Sequence, residues 1–529
     1  MYQGIIIQKR EKAMLKKSLF SFAIGVAFII SMGSAYAYEA LHGPTELIYY
    51  NKENAYNGYT LFAPFEGNIH YSFLIDMEGN VCHEWNLGNA RPEKHSRLLE
   101  DGHLIWAIKA GRERVKYQEL DWDGNVLWTV QDNREGYGSH HDFRKIWNKK
   151  LNAHTVLVVS TKRVTHEEAI ARGCDPKLRS NYTSAPDGLV ELDLKGNVVW
   201  EWNVFDHLIQ DVDPTKENYV GKGKTIADYP QKMDVNFGGG RAGDWIHTNS
   251  LDYNSTLDHI VTNNSSNSEF YVIDHGATFV AGDPEKSIEL AASDAGDFLY
   301  RWGNPAVYDS GDSPSIQSEG QRSDNGHKQA FFTHDIQWIR DGLPGAGNFL
   351  IFDNGEKRPG ETYSSIIEIN PYKGAMQNGV YVSEVEAGYS RPKGGKGPAP
   401  LRSNQIVWSY KSKSTQSFYS GHISGAQRLP NGNTLICSGR WGHFFEVTAK
   451  GECAWEYINP VTKGGIKTFI DDQPRGYMDV FRCLRYGVNY PGLAGRDLTP
   501  KGPITKIHAS DSRRSSSKSG KSDNRRAPK

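Results

Sequence analysis

Asp193-Leu-Lys-Gly-Asn-Val-Val-Trp-Glu-Trp202 reads as a tight turn followed by a short alternating strand, and the chain repeats it. Close copies are Asp76-Met-Glu-Gly-Asn-Val-Cys-His-Glu-Trp85 and Asp121-Trp-Asp-Gly-Asn-Val-Leu-Trp128. Looser ones are Ala295-Gly-Asp-Phe-Leu-Tyr-Arg-Trp302, Asn404-Gln-Ile-Val-Trp-Ser-Tyr410 and Lys450-Gly-Glu-Cys-Ala-Trp-Glu-Tyr457. Gly-Asn accepts positive φ, so each copy makes a hairpin turn, and the alternation behind it puts Trp on a buried face. A second apolar strand precedes several copies, as in Leu99–Trp106, His154–Ser160, Gly345–Phe352 and Leu429–Ile436. Repeated short strands with almost no helical period predict an all-β fold, a six-bladed β-propeller, one blade per copy. The competing architecture is a large irregular β-sandwich. Uneven spacing of the copies requires long insertions between strands, and 206–243, 303–330 and 372–403 are the candidates.

Composition agrees with a large folded β body. The chain has 529 residues, 38% apolar and 12% aromatic, with 13 Trp and 27 Tyr but only 7 Met. These values exclude a disordered or collagen-like chain. A net charge of −1 argues against a general nucleic-acid binder, so none is expected as a partner. That charge is unevenly spread. The first 17 residues carry five cations against Glu11, and the last 29 carry nine against Asp511 and Asp523, which leaves the body between them at −12.

Lys16-Lys17, the apolar run Leu19–Met32 and Ala35-Tyr36-Ala37 have the layout of a secretory signal peptide cut after Ala37. The run is short for a membrane span, so the expectation is a periplasmic or secreted protein with no transmembrane segment in its mature form. The organisation expected is leader 1–37, propeller 38–500 and a basic disordered tail 501–529, which could hold an anionic surface. Five cysteines at wide spacing, with no C-x-x-C, define no zinc site, and Cys437–Cys453 is the one bridge the spacing suggests.

Histidines recur a short distance ahead of the apolar strands: His95, His141, His247, His334 and His422. The strand that lines the axis of a propeller brings matching positions together, so these five residues are expected to converge there. Carboxylates beside them, Asp142, Asp244 and Asp335, are expected to orient the rings. Two chemistries suit such a cluster. In one, a neutral imidazole is the nucleophile in group transfer and neighbouring cations stabilise the oxygens. In the other, His141, His247, His334 and His422 bind Cu, Fe or Zn. A non-catalytic ligand-binding propeller is the third reading.

The words His140-His-Asp142, Asp244-Trp-Ile-His-Thr-Asn-Ser250, and His334 followed by Phe349-Leu-Ile-Phe-Asp-Asn-Gly355 resemble the bacterial arylsulfate sulfotransferases. The resemblance covers most of the mature chain. It implies a periplasmic six-bladed propeller that passes a sulfuryl group from an aryl sulfate to a phenol through a sulfohistidine, in ping-pong fashion. Neither a cofactor nor a nucleotide sulfate is implied. Carried over by motif, His334 is the nucleophile, His141 and His247 hold the sulfuryl oxygens, and Asn249 contacts substrate. Where the family has an arginine after the second histidine, in a word like Ile-Val-Ser-Ser-Arg, this chain reads Ile260-Val-Thr-Asn-Asn264. A lost cation beside the oxyanion costs about 2–4 kcal/mol of transition-state stabilisation. Arg440, 18 residues after His422 as Asn264 is 17 after His247, is the expected substitute, and Lys162 ends the matching strand of another blade. The candidate set is therefore His334, His141, His247, Arg440 and His422 for catalysis, and Asn264, Lys162, His95 and Asn249 for binding. Small-molecule partners and a homodimer complete the expectation.

Overall fold

The architecture is that of a computed structural model. It describes residues 43–64, 70–88, 92–110, 114–177, 186–237, 245–310, 328–372, 376–377, 380–381, 405–470 and 478–509. The expected leader, Asp244, most of 372–403 and the tail beyond 509 lie outside these residues.

Six antiparallel sheets form a six-bladed β-propeller. Blade 2 runs outward through Pro92–Leu98, Leu104–Lys109, Val115–Leu120 and Val126–Val130. Blade 3 uses Tyr137–Asn148, Ala153–Lys162, Asp187–Asp193 and Val198–Asn203. Blade 4 uses Thr248–Asn254, His259–Asn264, Glu269–Asp274 and Phe298–Trp302. Blade 5 uses Thr333–Trp338, Phe349–Asp353, Ser365–Ile369 and Ile406–Tyr410. Blade 6 uses Gly425–Arg428, Thr434–Ser438, His443–Val447 and Cys453–Ile458, with Glu46–Tyr50 added outside. Blade 1 joins the two ends of the chain: Val480–Gly487 is its innermost strand, and Gly58–Pro64, Tyr71–Ile75 and Val81–Asn86 supply the rest.

The repeated phrases are the outer part of each blade, and their Trp residues dock between blades. The indole N–H groups of Trp85, Trp202, Trp408 and Trp455 donate to the carbonyls of Asp121, Gly296, Ala449 and Met77 in the next blade, at 2.8–3.1 Å. The apolar strands are second in each blade, and the strand ahead of each lines the axis. Val156–Val159 and Phe349–Phe352 are covered on both faces by neighbouring blades, which is why they read as continuous apolar runs.

The axial strands are polar, bulged and harder to see. Their inner edges leave backbone N–H groups without a strand partner, and side chains of the preceding blade accept them. Asp142 takes Leu251 N–H at 3.0 Å, Asp252 takes Trp338 N–H at 3.1 Å, Asp335 takes Ala426 N–H at 3.1 Å, and Gln427 takes Arg485 N–H at 2.7 Å. Ser250 Oγ similarly accepts Ile336 N–H.

Other expectations shift. Cys437 and Cys453 are both thiols, on strands separated by the His443–Val447 strand. Two strand spacings, roughly 10 Å, exceed the roughly 7 Å Cα separation a disulfide allows. The thiol that Cys437 meets is Cys483 of the closing strand. The expected tail boundary at 501 falls within a packed segment, because Ile504 is buried and His508 donates to Glu84 at 2.9 Å. The helices Pro284–Ala291 and His275–Thr278, unforeseen in the sequence, fill a blade 4 insertion.

His275 is buried between blades 3 and 4, its nitrogens 2.7 Å from Asp258 and 2.8 Å from Glu191. Burial disfavours its charge, but hydrogen bonds to Asp258 and Glu191 outweigh that and push its pKa from 6.5 up to about 9. A raised pKa contributes stability that is complete below 6.5 and gone once the pH passes about 9. The shift corresponds to on the order of 3 kcal/mol. Denaturant midpoints should therefore fall between pH 6.5 and 9, and His275→Gln should flatten that fall while lowering stability at neutral pH.

Candidate functional site

In blades 2 to 5 the expected histidines lie at or beside a bulge in the inner strand, whereas His422 lies in the turn ahead of the regular strand Gly425–Arg428. Register slips occur between Pro92 and Ser96, Ser139 and Phe143, Thr248 and Leu251, and His334 and Gln337. In every case the inner strand carries one or two extra residues. The extra residues re-aim side chains that regular pleating would turn into the blade. Positive φ marks the same end of the inner strands: +59° at His141, +54° at His247, +55° at Phe332 and Asp335, +49° at Ile423 and +90° at Ser424. Non-glycine residues in this region concentrate at functional sites.

His140, His141, His247 and His334, at or beside these bulges, and His422, in the turn ahead of Gly425–Arg428, lie around the axis at one end of the propeller. The rings of His141 and His247 meet edge to face at 4.8 Å. Phe332 lies 6.1 Å from His247 and 5.7 Å from His334, linking the two. Blade 1 contributes through the start of its closing strand. Asp479 Oδ2 is 3.7 Å from His422 Nε2, and Phe481 packs 6.2 Å from His141.

His334 is 2% exposed and its tautomer is dictated by its neighbours. Asn354 gives both amide hydrogens to carbonyls, Ser420 O at 2.6 Å and Ile423 O at 2.9 Å, so its oxygen must face the ring. That oxygen, 2.7 Å away, accepts His334 Nδ1–H. Nε2 therefore carries the lone pair, and it accepts Ile423 N–H at 3.1 Å. Burial, opposed only by the Asn354 hydrogen bond and reinforced by the nearby His247, His422 and Arg482, holds the pKa of His334 well below 6.5. The result is a neutral imidazole with its basic nitrogen fixed.

Arg440 is half-buried in the turn Gly439–Trp441 that follows Thr434–Ser438 of blade 6, with Nη1 2.6 Å from His422 Nδ1. Guanidinium can only donate, so His422 accepts through Nδ1 and carries its proton on Nε2.

Four expected binding residues do other work. His95 is buried, stacked 4.8 Å from Phe143 and 5.7 Å from Phe481, and hydrogen-bonds Asp142 at 2.8 Å. It belongs to the packed floor. Lys162 is exposed at the end of its strand, 5.8 Å from the Tyr137 ring. Asn249 donates to Thr333 O at 2.9 Å, which anchors blade 4 to the residue before His334. Asn264 is fully buried and accepts Asn267 N–H within its own turn.

The carboxylates that orient rings are also different from those expected. Asp142 orients His95 rather than its neighbour His141, and it accepts Arg144 at 2.6 Å and Arg482 at 2.8 Å. Asp335 faces Arg482 at 2.8 Å. The groups that orient site histidines are Asn354 and Asp187, the latter 3.0 Å from His140 Nε2. Asn354 was legible inside the Phe349–Gly355 word; Asp187, 47 residues from His140, had no local signal.

Two of the four histidines of the metal alternative already have protein partners on ring nitrogens. Both nitrogens of His334 are engaged, and Arg440 occupies His422 Nδ1. Among the described residues, the three-residue group with ligand atoms within 4.8 Å of one another is Asp101, His103 and Glu119, away from these histidines. There His103 already pairs with Glu119 at 2.7 Å and Lys145 takes the second Glu119 oxygen at 2.6 Å.

No curated protein matches the chain. Similar solved structures include a protein of unknown function from Bacteroides caccae, at 11% identity and TM-score 0.38, covering 81% of this chain and 98% of that one. Another is a periplasmic gluconolactonase from Pseudomonas aeruginosa, at 10% identity and TM-score 0.33, covering 79% and 98%. The arylsulfotransferase (ASST) family model matches residues 45–465. With that span covering the axial histidines and all of the propeller but its closing strand Val480–Gly487, the chain belongs to the arylsulfotransferase family and is an aryl-sulfate sulfotransferase independent of nucleotide sulfate.

Proposed function

We propose that the protein moves a sulfuryl group from an aryl sulfate ester to a phenol by way of a sulfohistidine on His334. The observation that carries this reading is the state of His334: neutral, with Nδ1–H held by Asn354 and the lone pair on Nε2. In the first half-reaction Nε2 attacks sulfur and the aryl oxygen leaves with the bonding pair. In the second, an acceptor phenol attacks the sulfohistidine and returns the pair to Nε2. Donor binding must draw the Nε2 lone pair away from Ile423 N–H before attack.

His141 and His247 face the oxygens of the ester, and the Arg440–His422 pair supplies the cation that Asn264 does not. Resonance-stabilised imidazole nucleophiles and fixed donors suffice for this chemistry, so the reading includes no metal or nucleotide cofactor. It also includes export, with residues 1–37 as a leader removed after Ala37.

Three measurements test the reading. Incubation with 4-nitrophenyl sulfate in the absence of acceptor should add one SO3 group to the intact chain, located on His334 by peptide mapping. His334→Asn should remain folded and unmodified, whereas label on another residue would reject the assignment. Arg440→Ala should lower kcat/KM by roughly 30- to 1000-fold, the equivalent of about 2–4 kcal/mol of lost oxyanion stabilisation. Full activity in that variant would remove Arg440 from the machinery. N-terminal sequencing of the protein from its host should begin at Tyr38, and an intact amino terminus would exclude the leader.

A further inference from the structure

Asp187, His140 and His141 form a continuous hydrogen-bonded row that ends in the axial cluster. Asp187 Oδ1 is 3.0 Å from His140 Nε2, and His140 Nδ1 is 2.5 Å from His141 Nδ1. The other Asp187 oxygen accepts the N–H of Thr248, the residue after His247, at 2.5 Å. Asp187 is buried, and His140 is about three-quarters covered.

Proton positions in this row follow from donor and acceptor chemistry. An ionised carboxylate only accepts, so His140 Nε2 carries hydrogen. Two imidazole nitrogens at 2.5 Å hold one proton between them, since two lone pairs or two hydrogens would repel. The nitrogen of the pair at which a proton can come and go is then His141 Nε2. When it is protonated, the pair carries one positive charge, which faces the Asp187 carboxylate through His140. When it is not, both rings are neutral.

We infer that Asp187 and His140 are positioning residues that make His141 Nε2 the proton donor and acceptor for the phenol oxygen in both half-reactions. This inference rests on the sulfotransfer reading above. In the first half-reaction the S–O(aryl) bond breaks as the His334 Nε2–S bond forms. The departing phenolate oxygen takes the proton from His141 Nε2, and the pair becomes neutral. In the second, the acceptor phenol gives its proton back to His141 Nε2 as its oxygen bonds sulfur and the N–S pair returns to His334. Proton and electron pairs balance over the cycle, and no other reactant is needed. The His141 ring is held for this task by its edge-to-face contact with His247 and by the +59° φ at its own backbone.

A proton donor matters in proportion to how basic the leaving oxygen is, and that separates it from a structural role. The test measures single-turnover phenol release from 4-nitrophenyl sulfate, whose phenolate leaves readily, and from phenyl sulfate, whose phenolate is much more basic. Asp187→Asn and His140→Gln should slow release from phenyl sulfate by on the order of 10²-fold or more, and from 4-nitrophenyl sulfate by less than about 10-fold. Equal losses with both donors would overturn the relay and leave these residues as packing. If both variants unfold, the unmutated protein still decides the matter. Its release should slow in deuterated water with phenyl sulfate and hardly change with 4-nitrophenyl sulfate, and identical isotope effects would overturn the relay. An unmutated protein that releases no phenol from any aryl sulfate rejects the sulfotransfer reading itself, and the relay with it.

Discussion

The inner edge of each blade is the constraint on which the rest depends. A strand that faces the axis of a propeller has no strand beyond it, so its N–H groups need other acceptors in a place with little water. Asp142, Asp252, Asp335 and Gln427 meet that need across four consecutive blade junctions. Burial of a carboxylate costs several kcal/mol unless it is paired, and the pairing here is dense. Asp142 accepts from His95 of blade 2, Arg144 of blade 3, Leu251 of blade 4 and Arg482 of the closing strand. Although burial alone would raise its pKa, Arg144 and Arg482 hold it well below the usual carboxylate range.

This floor lets the layer next to it be strained. A residue with positive φ survives only where its surroundings over-determine it. Asp142 follows His141, and Asp335, itself strained, follows His334. The same short bulge thus directs a carboxylate into the floor and a histidine into the site. Fixed neighbours then assign different states to chemically identical rings. Asn354 and burial keep His334 neutral, Arg440 fixes the tautomer of His422, and Asp187 acts on His141 through His140.

Legibility followed local pattern. The outer hairpins were visible because Asp-x-x-Gly-Asn turns and alternating Trp strands are local signals. The second strands were visible as apolar runs because neighbouring blades bury both of their faces. The strands that do line the axis were missed as strands because bulges break their alternation and polar residues replace apolar ones. Arg482, Phe481 and Asp479 were missed altogether, since nothing near them announces that residues 480–487 complete a blade begun at Gly58. Two expectations about neighbours failed for one reason: adjacency in sequence was taken for adjacency in space. Asp142 turns from His141 to His95, and Cys437 meets Cys483 rather than Cys453.

What the sequence determined by itself was the blade count, the recurrence of histidines at matching places, and the motif words that mark the family. Each hairpin phrase behind the blade count, such as Asp193–Trp202, is a short stretch in which turn preference and strand period act directly. What only the tertiary structure decided was the state of each histidine. Protonation depends on which partner, up to 89 residues away, closes onto each ring nitrogen, and on how completely water is excluded. Circular closure of six blades sets both.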